Sequence, residues 1–168
     1  MRTVKIADDE GGPVETPTVA GAWPDGFVDL YQSRWTSMVR LARLLTAADP
    51  AAEELVQEAF LRVRTRWEGV ESPSSYLRAA VVNACRNHQR RQVIERRQSP
   101  PSEETHDEHF ELRGALTALP MRQRSAVVLR YYEDLPETEI AELLDCSVTA
   151  VKSLLHRAVR DLRKVIER

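Results

Sequence analysis

The chain of 168 residues predicts an all-α protein: two small helical domains joined by a flexible acidic linker, the second containing a helix-turn-helix. Three observations carry this. Apolar residues recur at helical spacing, and no segment alternates apolar and polar residues for long. Two start signals, Asp49-Pro50 and Ser72-Pro73, each place a capping side chain before a proline suited to the first helical position. Between the halves, Ser99-Pro100-Pro101-Ser102-Glu103-Glu104 has almost no apolar content, which is a linker composition.

The elements follow in order. A first helix is expected from about Gly26 to Leu45, with Phe27, Leu30, Tyr31, Trp35, Val39 and Ala42 on one stripe. The helix opened by Asp49-Pro50 carries Val56, Phe60, Val63 and Trp67 at core-facing spacing. In the helix opened by Ser72, the residues Leu77, Val81, Ala84 and His88 align on one face. Past the linker, Phe110 to Leu119 reads as a short helix ended before Pro120, and Met121 to Tyr132 as another. Pro136 to Leu144 and Val148 to Ile166 make a closely spaced final pair. The division is an arm over 1–26, a domain over 27–98, a linker over 99–109 and a domain over 110–168.

The overall formal charge is only −2, which by itself discourages nucleic-acid binding. Its distribution reverses that inference. Segments 1–26 and 99–112 carry net −3 and −5, whereas 27–98 and 113–168 carry +4 and +2. The basic residues therefore lie in the segments that look folded. Cys85 and Cys146 stand 61 positions apart, which excludes a disulfide scaffold and suits a reducing cytoplasm. No apolar run approaches the roughly 20 residues needed to cross a bilayer, so membrane insertion is not expected. The acidic start lacks the apolar segment of a signal peptide.

The final helix pair carries the clearest motif. Ile140, Ala141, Leu143 and Leu144 pack the first helix; Asp145-Cys146-Ser147 forms the turn, with Ser147 as the cap of the next. Asp145 stands where glycine is common, and aspartate tolerates a left-handed backbone better than most residues. On the last helix Val151, Leu155, Ala158, Leu162 and Val165 share one face. The opposite face presents Thr149, Ser153, His156 and Arg160, flanked by Lys152, Arg157, Arg163 and Lys164. This is a helix-turn-helix pattern, whose second helix enters the major groove. An ordinary helical hairpin with a solvated basic face is the alternative.

In the first domain, six arginines and one acid lie between Tyr76 and Gln98. The outer face there includes Val82, Asn83, Arg86, Asn87 and Arg90, and amides beside arginines can bind unpaired base edges and phosphates. An arginine-rich helix end favoured by the helix dipole explains the same composition. The preceding helix shows Glu54, Glu58, Leu61 and Thr65 outward, with Gln57 beside them. An acidic face with an exposed leucine suits a basic protein partner better than DNA; a plain solvated helix face is the alternative.

These residues resemble a bacterial RNA polymerase sigma factor of the extracytoplasmic-function (ECF) group, more narrowly its actinobacterial SigE-like branch. In the first half the matching stretches include Leu41-Ala42-Arg43-Leu44-Leu45-Thr46, Ala52 to Phe60, Pro73 to Arg78 and Val82-Asn83. In the second they include Leu119-Pro120, Arg122-Gln123-Arg124, Val128 to Leu135, Glu139 to Leu143, and Cys146-Ser147-Val148 with Val151-Lys152-Ser153. The likeness covers about 27–166 and keeps family order.

The resemblance makes 27–98 sigma region 2 and 110–168 sigma region 4. It implies that Glu54, Gln57, Glu58 and Leu61 grip the clamp helices of the polymerase largest subunit. Asn83 would contact a base extruded from the promoter −10 element, in a pocket formed by the loop from Glu68 to Ser75. Arg86, Asn87, Arg90 and Arg91 would hold the strand and upstream backbone. The −35 element would be read as duplex by Ser147, Thr149, Lys152, Ser153, His156, Arg157 and Arg160. The Pro120–Leu135 segment would pack beneath that helix and against the polymerase flap, and the acidic linker would thread toward the RNA exit path. The implied partners are core RNA polymerase, promoter DNA and an anti-sigma factor. Thr149-Ala150 and His156-Arg157 depart from pairs common in relatives, so the −35 preference does not carry over.

No catalytic, cofactor or metal site is expected. His106 and His109 lie in the acidic linker without a third fixed ligand, and Gly11-Gly12 lacks the lysine of a phosphate loop. Cys85 and Cys146 read as small apolar core residues. Two other classes fit parts of the pattern: a free-standing helix-turn-helix regulator binding duplex operators as a dimer, and a decoy that occupies polymerase without reading promoters.

Overall fold

The computed structural model describes residues 23–47, 49–96 and 110–166. Among them every regular element is helical. The linker over 99–109 with His106 and His109, and most of the arm, lie outside the described residues. The arm's last four residues are described, and there Trp23 stacks on Phe27 with ring centroids 5.2 Å apart.

The first half is a three-helix unit: α1 (Phe27–Leu45), α2 (Ala52–Thr65) and α3 (Pro73–Arg96). Each packs on the other two. Met38, Leu41, Leu45, Val56, Val63, Leu77 and Val81 are fully buried between them, each contributing about 1.5–3 kcal/mol by leaving water. Tyr31 and Phe60 add a ring contact at 4.9 Å. Gly26 precedes α1 at φ 80, a conformation glycine adopts without a Cβ penalty.

Asp49 does not cap α2 as the sequence predicts. Its Oδ1 accepts the Ala51 amide at 2.8 Å, forming a turn, and the helix starts at Ala52. The other carboxylate oxygen faces α3, where His88 Nε2 lies 3.0 Å away and Gln92 also donates to it. Burial raises the Asp49 pKa, but the Ala51 amide, His88 and Gln92 outweigh it and hold the carboxyl below its ordinary value. Gln89, itself buried, donates to the Leu45 carbonyl at 2.6 Å. These bonds tie the α1–α2 corner to α3 and satisfy its buried polar groups.

The second half contains α4 (Phe110–Ala118), α5 (Met121–Val127), α6 (Glu137–Leu143) and α7 (Val148–Ile166). The predicted single helix over 121–132 instead changes into a π turn over Val128–Tyr132. The Glu133 amide bonds the Val128 carbonyl at 3.2 Å, five residues back, so one residue is inserted into the helical ladder. Leu135 then bonds back to Leu129 at 3.1 Å, across a left-handed Asp134 at φ 51.

The turn after α6 follows the helix-turn-helix reading. Asp145 is left-handed at φ 50. Its amide bonds the Glu142 carbonyl at 3.2 Å, and the Cys146 amide bonds that of Ala141 at 3.0 Å. This is a Schellman stop, with aspartate in the place glycine usually takes. Ser147 Oγ accepts the Ala150 amide at 3.1 Å and caps α7. Val151, Leu155 and Ala158 are buried on the inner face as predicted.

The halves do not stand apart. Their buried residues form one continuous apolar cluster. Helix α1 touches α5 and the π turn, and α3 touches α6. The prediction that Val82 lies on the outer face of α3 is therefore corrected: it is fully buried. Cys85 is a core residue as expected, and burial, with the Asp49 charge, pushes its thiol up to about 12. Cys146 is half-buried and packs against the same cluster.

Candidate polymerase and nucleic-acid interfaces

Three surfaces follow from this framework. On α2, burying Val56, Phe60 and Val63 forces Glu54, Gln57, Glu58 and Leu61 to the opposite side. All four are exposed, and they recur at i, i+3, i+4 and i+7, one continuous stripe. Leu61 is 49% exposed, an apolar centre rimmed by carboxylates. Glu58 approaches Arg62 only at 3.8 Å with both half in water, a contact weak enough to exchange for an intermolecular one. Thr65 continues the stripe, with its hydroxyl bonded to the Arg62 carbonyl at 2.9 Å.

On α3, Asn83, Asn87, Arg90 and Arg91 are exposed. Arg86 is not free. Its Nη1 donates to the Leu143 carbonyl of α6 at 2.9 Å. An open groove of about 850 Å³ lies at the start of α3 and along the preceding loop, between walls that include Arg64, Trp67, Glu68, Ser72 and Tyr76. Its rim holds a pair the sequence reading assigned to no site. Arg64 stacks over the Trp23 ring at 4.3 Å, and Trp23 is 51% exposed. The two are 41 positions apart, so nothing in the local pattern signalled the pairing.

On α7, Ser147, Thr149, Lys152, His156, Arg157 and Arg160 are exposed and Ser153 half-buried. Lys152, Ser153, His156, Arg157 and Arg160 line a shallow groove of about 430 Å³. All seven predicted residues thus belong to the turn and one helix face. Lys152 makes a loose 3.8 Å pair with Glu137, and Arg160 lies 3.4 Å from Asp161. Both contacts are solvated and hold their cations weakly. Beneath, α5 packs on α7 and buries Ser125 to Leu129, while Tyr131 remains 68% exposed.

Arg124 is nearly buried and its Nε finds no acceptor among the described residues. Burial lowers its pKa. Among the same residues no group of three or more His, Cys, Asp or Glu could hold a metal, and no helix is long and apolar enough to cross a membrane.

Comparison with known proteins agrees with this layout. The family model for sigma-70 region 2 matches residues 30–93, and that for sigma-70, region 4 matches 109–162. The RNA polymerase sigma-E factor of Streptomyces avermitilis is 33% identical over 152 residues, covering 84% of this chain and 85% of the relative. The sigma-E factor of Streptomyces coelicolor is 33% identical over 149 residues, covering 82% and 84%. Among solved structures, the sigma factor RpoE in complex with the anti-sigma factor NepR from Bartonella quintana shares the fold. Its TM-score is 0.71 at 19% identity, over 84% of this chain and 96% of that one. CnrH, solved with the cytosolic domain of CnrY, gives 0.60 at 18% identity, over 84% and 87%. With region 2 and region 4 matched in order and a third of the aligned residues identical to sigma-E factors, the chain belongs to the RNA polymerase sigma factor family.

Proposed function

We propose that the protein joins core polymerase through the α2 stripe, captures an unpaired −10 base beside α3 and reads the −35 duplex with α7. The observation that carries this is the segregation of surfaces. An acidic stripe with an exposed leucine and a hydroxyl-and-cation helix face occupy different helices of one chain. A free-standing operator-binding regulator has no use for the first surface, and a decoy has none for the second. Glu54, Gln57, Glu58 and Leu61 make the protein contact. Asn83 takes the base, and Arg86, Asn87, Arg90 and Arg91 hold the strand. Ser147, Thr149, Lys152, Ser153, His156, Arg157 and Arg160 face the duplex. The region 2 and region 4 halves, 27–98 and 110–168, are joined by 99–109 and preceded by the arm over 1–26. Tyr131, exposed beside α5, supports contact with the polymerase flap.

Melting then needs no covalent chemistry from this chain. Each unstacked base costs a few kcal/mol, and capture of the base and its phosphate offsets that cost. The groove between Arg64 and Tyr76 supports such capture, because aromatic walls and a guanidinium suit a planar base. The protein works in the cytoplasm with polymerase, and an anti-sigma factor holds it when it is not needed. The shared fold with RpoE, solved with NepR, supports that control.

Asn83→Ala tests the −10 assignment. Losing one base contact costs about 1–3 kcal/mol, so strand opening should fall about 5- to 150-fold. Permanganate reactivity of thymines at the start site reads it directly. Core binding and −35 duplex binding should stay unchanged. Equal reactivity in wild type and variant would remove Asn83 from the mechanism.

A further inference from the structure

The end of the arm has a fixed structure. The Phe27 amide bonds the Pro24 carbonyl at 3.0 Å, and Gly26 between them sits at φ 80 and ψ −10, the dihedrals of the third residue in a type II turn. The turn folds Trp23 back onto Phe27, with the rings 5.2 Å apart and within 12° of parallel. Phe27 is itself anchored. It is buried and lies edge-on to Trp67 at 5.5 Å and to Phe60 at 6.2 Å. Trp23 thus rests on the core of the first half although it precedes the first helix.

Packing explains one side of this tryptophan and leaves the rest in water, 51% exposed. Arg64 lies over its ring at 4.3 Å, and among the described residues no carboxylate pairs with Arg64. Guanidinium and indole together make a flat cationic surface of the kind on which bases stack. Arg64 also lines the groove that runs past Trp67 to Tyr76. Tyr76, Asn83 and Arg90 stand at i, i+7 and i+14, one line along α3, and Asn83 lies about 10 Å from Tyr76 along the axis. A strand held at Asn83 that follows this line into the groove meets Arg64 and Trp23 next. Glu68 and Glu71 also line the groove; their carboxylates repel phosphates, so the groove favours bases over backbone. Position 23 precedes the 30–93 matched by the region 2 model, so this surface belongs to the chain's own arm.

We propose that Trp23 and Arg64 form a stacking platform for a second unpaired base of the displaced promoter strand, beyond the base taken by Asn83. This rests on the −10 reading above and adds the end of the arm to the surface that holds the open strand. Stacking engages the face that every base has, so the platform adds affinity for open DNA without selecting sequence.

Forked promoter DNA with an unpaired −10 strand, bound by the full chain assembled with core polymerase, tests the platform. An abasic site is walked along the unpaired strand. Sensitivity lost in Asn83→Ala marks the first base, and sensitivity lost in Trp23→Ala marks the second. At the second position the wild type should bind the abasic fork about 5- to 150-fold more weakly, the 1–3 kcal/mol of one base–aromatic stack. Trp23→Ala should weaken binding of the intact fork by the same factor, Arg64→Gln by less, and Trp23→Phe, which keeps a ring, should retain most of it. Affinity for core, −35 duplex binding and circular dichroism should not move. If no position loses its sensitivity in Trp23→Ala, or the same position loses it in both variants, the platform is overturned, while sensitivity lost in Asn83→Ala leaves the −10 reading intact. Weaker core binding by Trp23→Ala would also overturn it, assigning the tryptophan to a polymerase contact. A strand with no position that depends on Asn83 would overturn the −10 reading itself.

Discussion

Replacing Glu54 and Glu58 together by lysine should abolish assembly with core polymerase and leave the fold intact. Both carboxylates are exposed on α2, one turn apart on the side away from Val56 and Phe60. The only described ion pair lost is the solvated Glu58–Arg62 contact at 3.8 Å, of about 0.3–0.5 kcal/mol for an i,i+4 pair. Unfolding midpoints should therefore barely move. Binding behaves differently. Reversal places like charges against a basic partner surface, at a cost of several kcal/mol, so affinity for core should fall more than about 100-fold. Fluorescence titration against core enzyme measures this, with circular dichroism as the fold control. Wild-type affinity in the double variant would move the polymerase contact to another face.

The second large effect is expected on α7. Lys152→Ala with Arg157→Ala should remove promoter-specific transcription while core binding persists. Each cation lost from a base or phosphate contact is worth about 1–3 kcal/mol, so together they reduce −35 duplex affinity at least about 30-fold. The salt dependence should also flatten, by about 0.9 in log–log slope for each phosphate contact removed. Lys152 gives up only a loose pair with Glu137, 3.8 Å away and largely in water. The helix should therefore stay folded. Unchanged promoter use in this variant would favour a chain that occupies polymerase without reading DNA.

The sequence foretold the parts of the molecule governed by local periodicity and end chemistry. The core positions Val56, Phe60, Val63, Leu77 and Val81 follow from helical spacing and are all buried. So do the Ser147 cap and the left-handed Asp145, because both are decided within a few residues of chain. The start of α2 departs from its sequence signal, since proline after an aspartate fits a turn as well as a helix, and the Ala51 amide donates to the Asp49 oxygen. The π turn at Val128–Tyr132 was invisible for a related reason. One inserted residue barely alters the apolar pattern of a twelve-residue helix, and it shows in the backbone bonding, as in the bond from Glu133 to Val128.

The candidate sites divide in the same way. The α2 and α7 faces were legible because burial of one side of an amphipathic helix dictates what the other side presents. Val82 and Arg86 look outward from the sequence because the surface that covers them lies far along the chain. Arg78 donates to Glu133 across 55 positions, and two unlike charges at that distance are indistinguishable from any others in a chain with 24 basic and 26 acidic residues. The charge inventory pointed to DNA once divided by segment; the contact between the halves came only from tertiary structure.

Transcription from a genomic DNA library, with and without core polymerase, tests the central claim most directly. With core enzyme the protein should produce discrete start sites, each preceded by paired −10 and −35 elements. Alone, it should bind DNA only weakly and in a salt-sensitive way. Specific binding to duplex sites without core, and no initiation when core is supplied, would contradict the account.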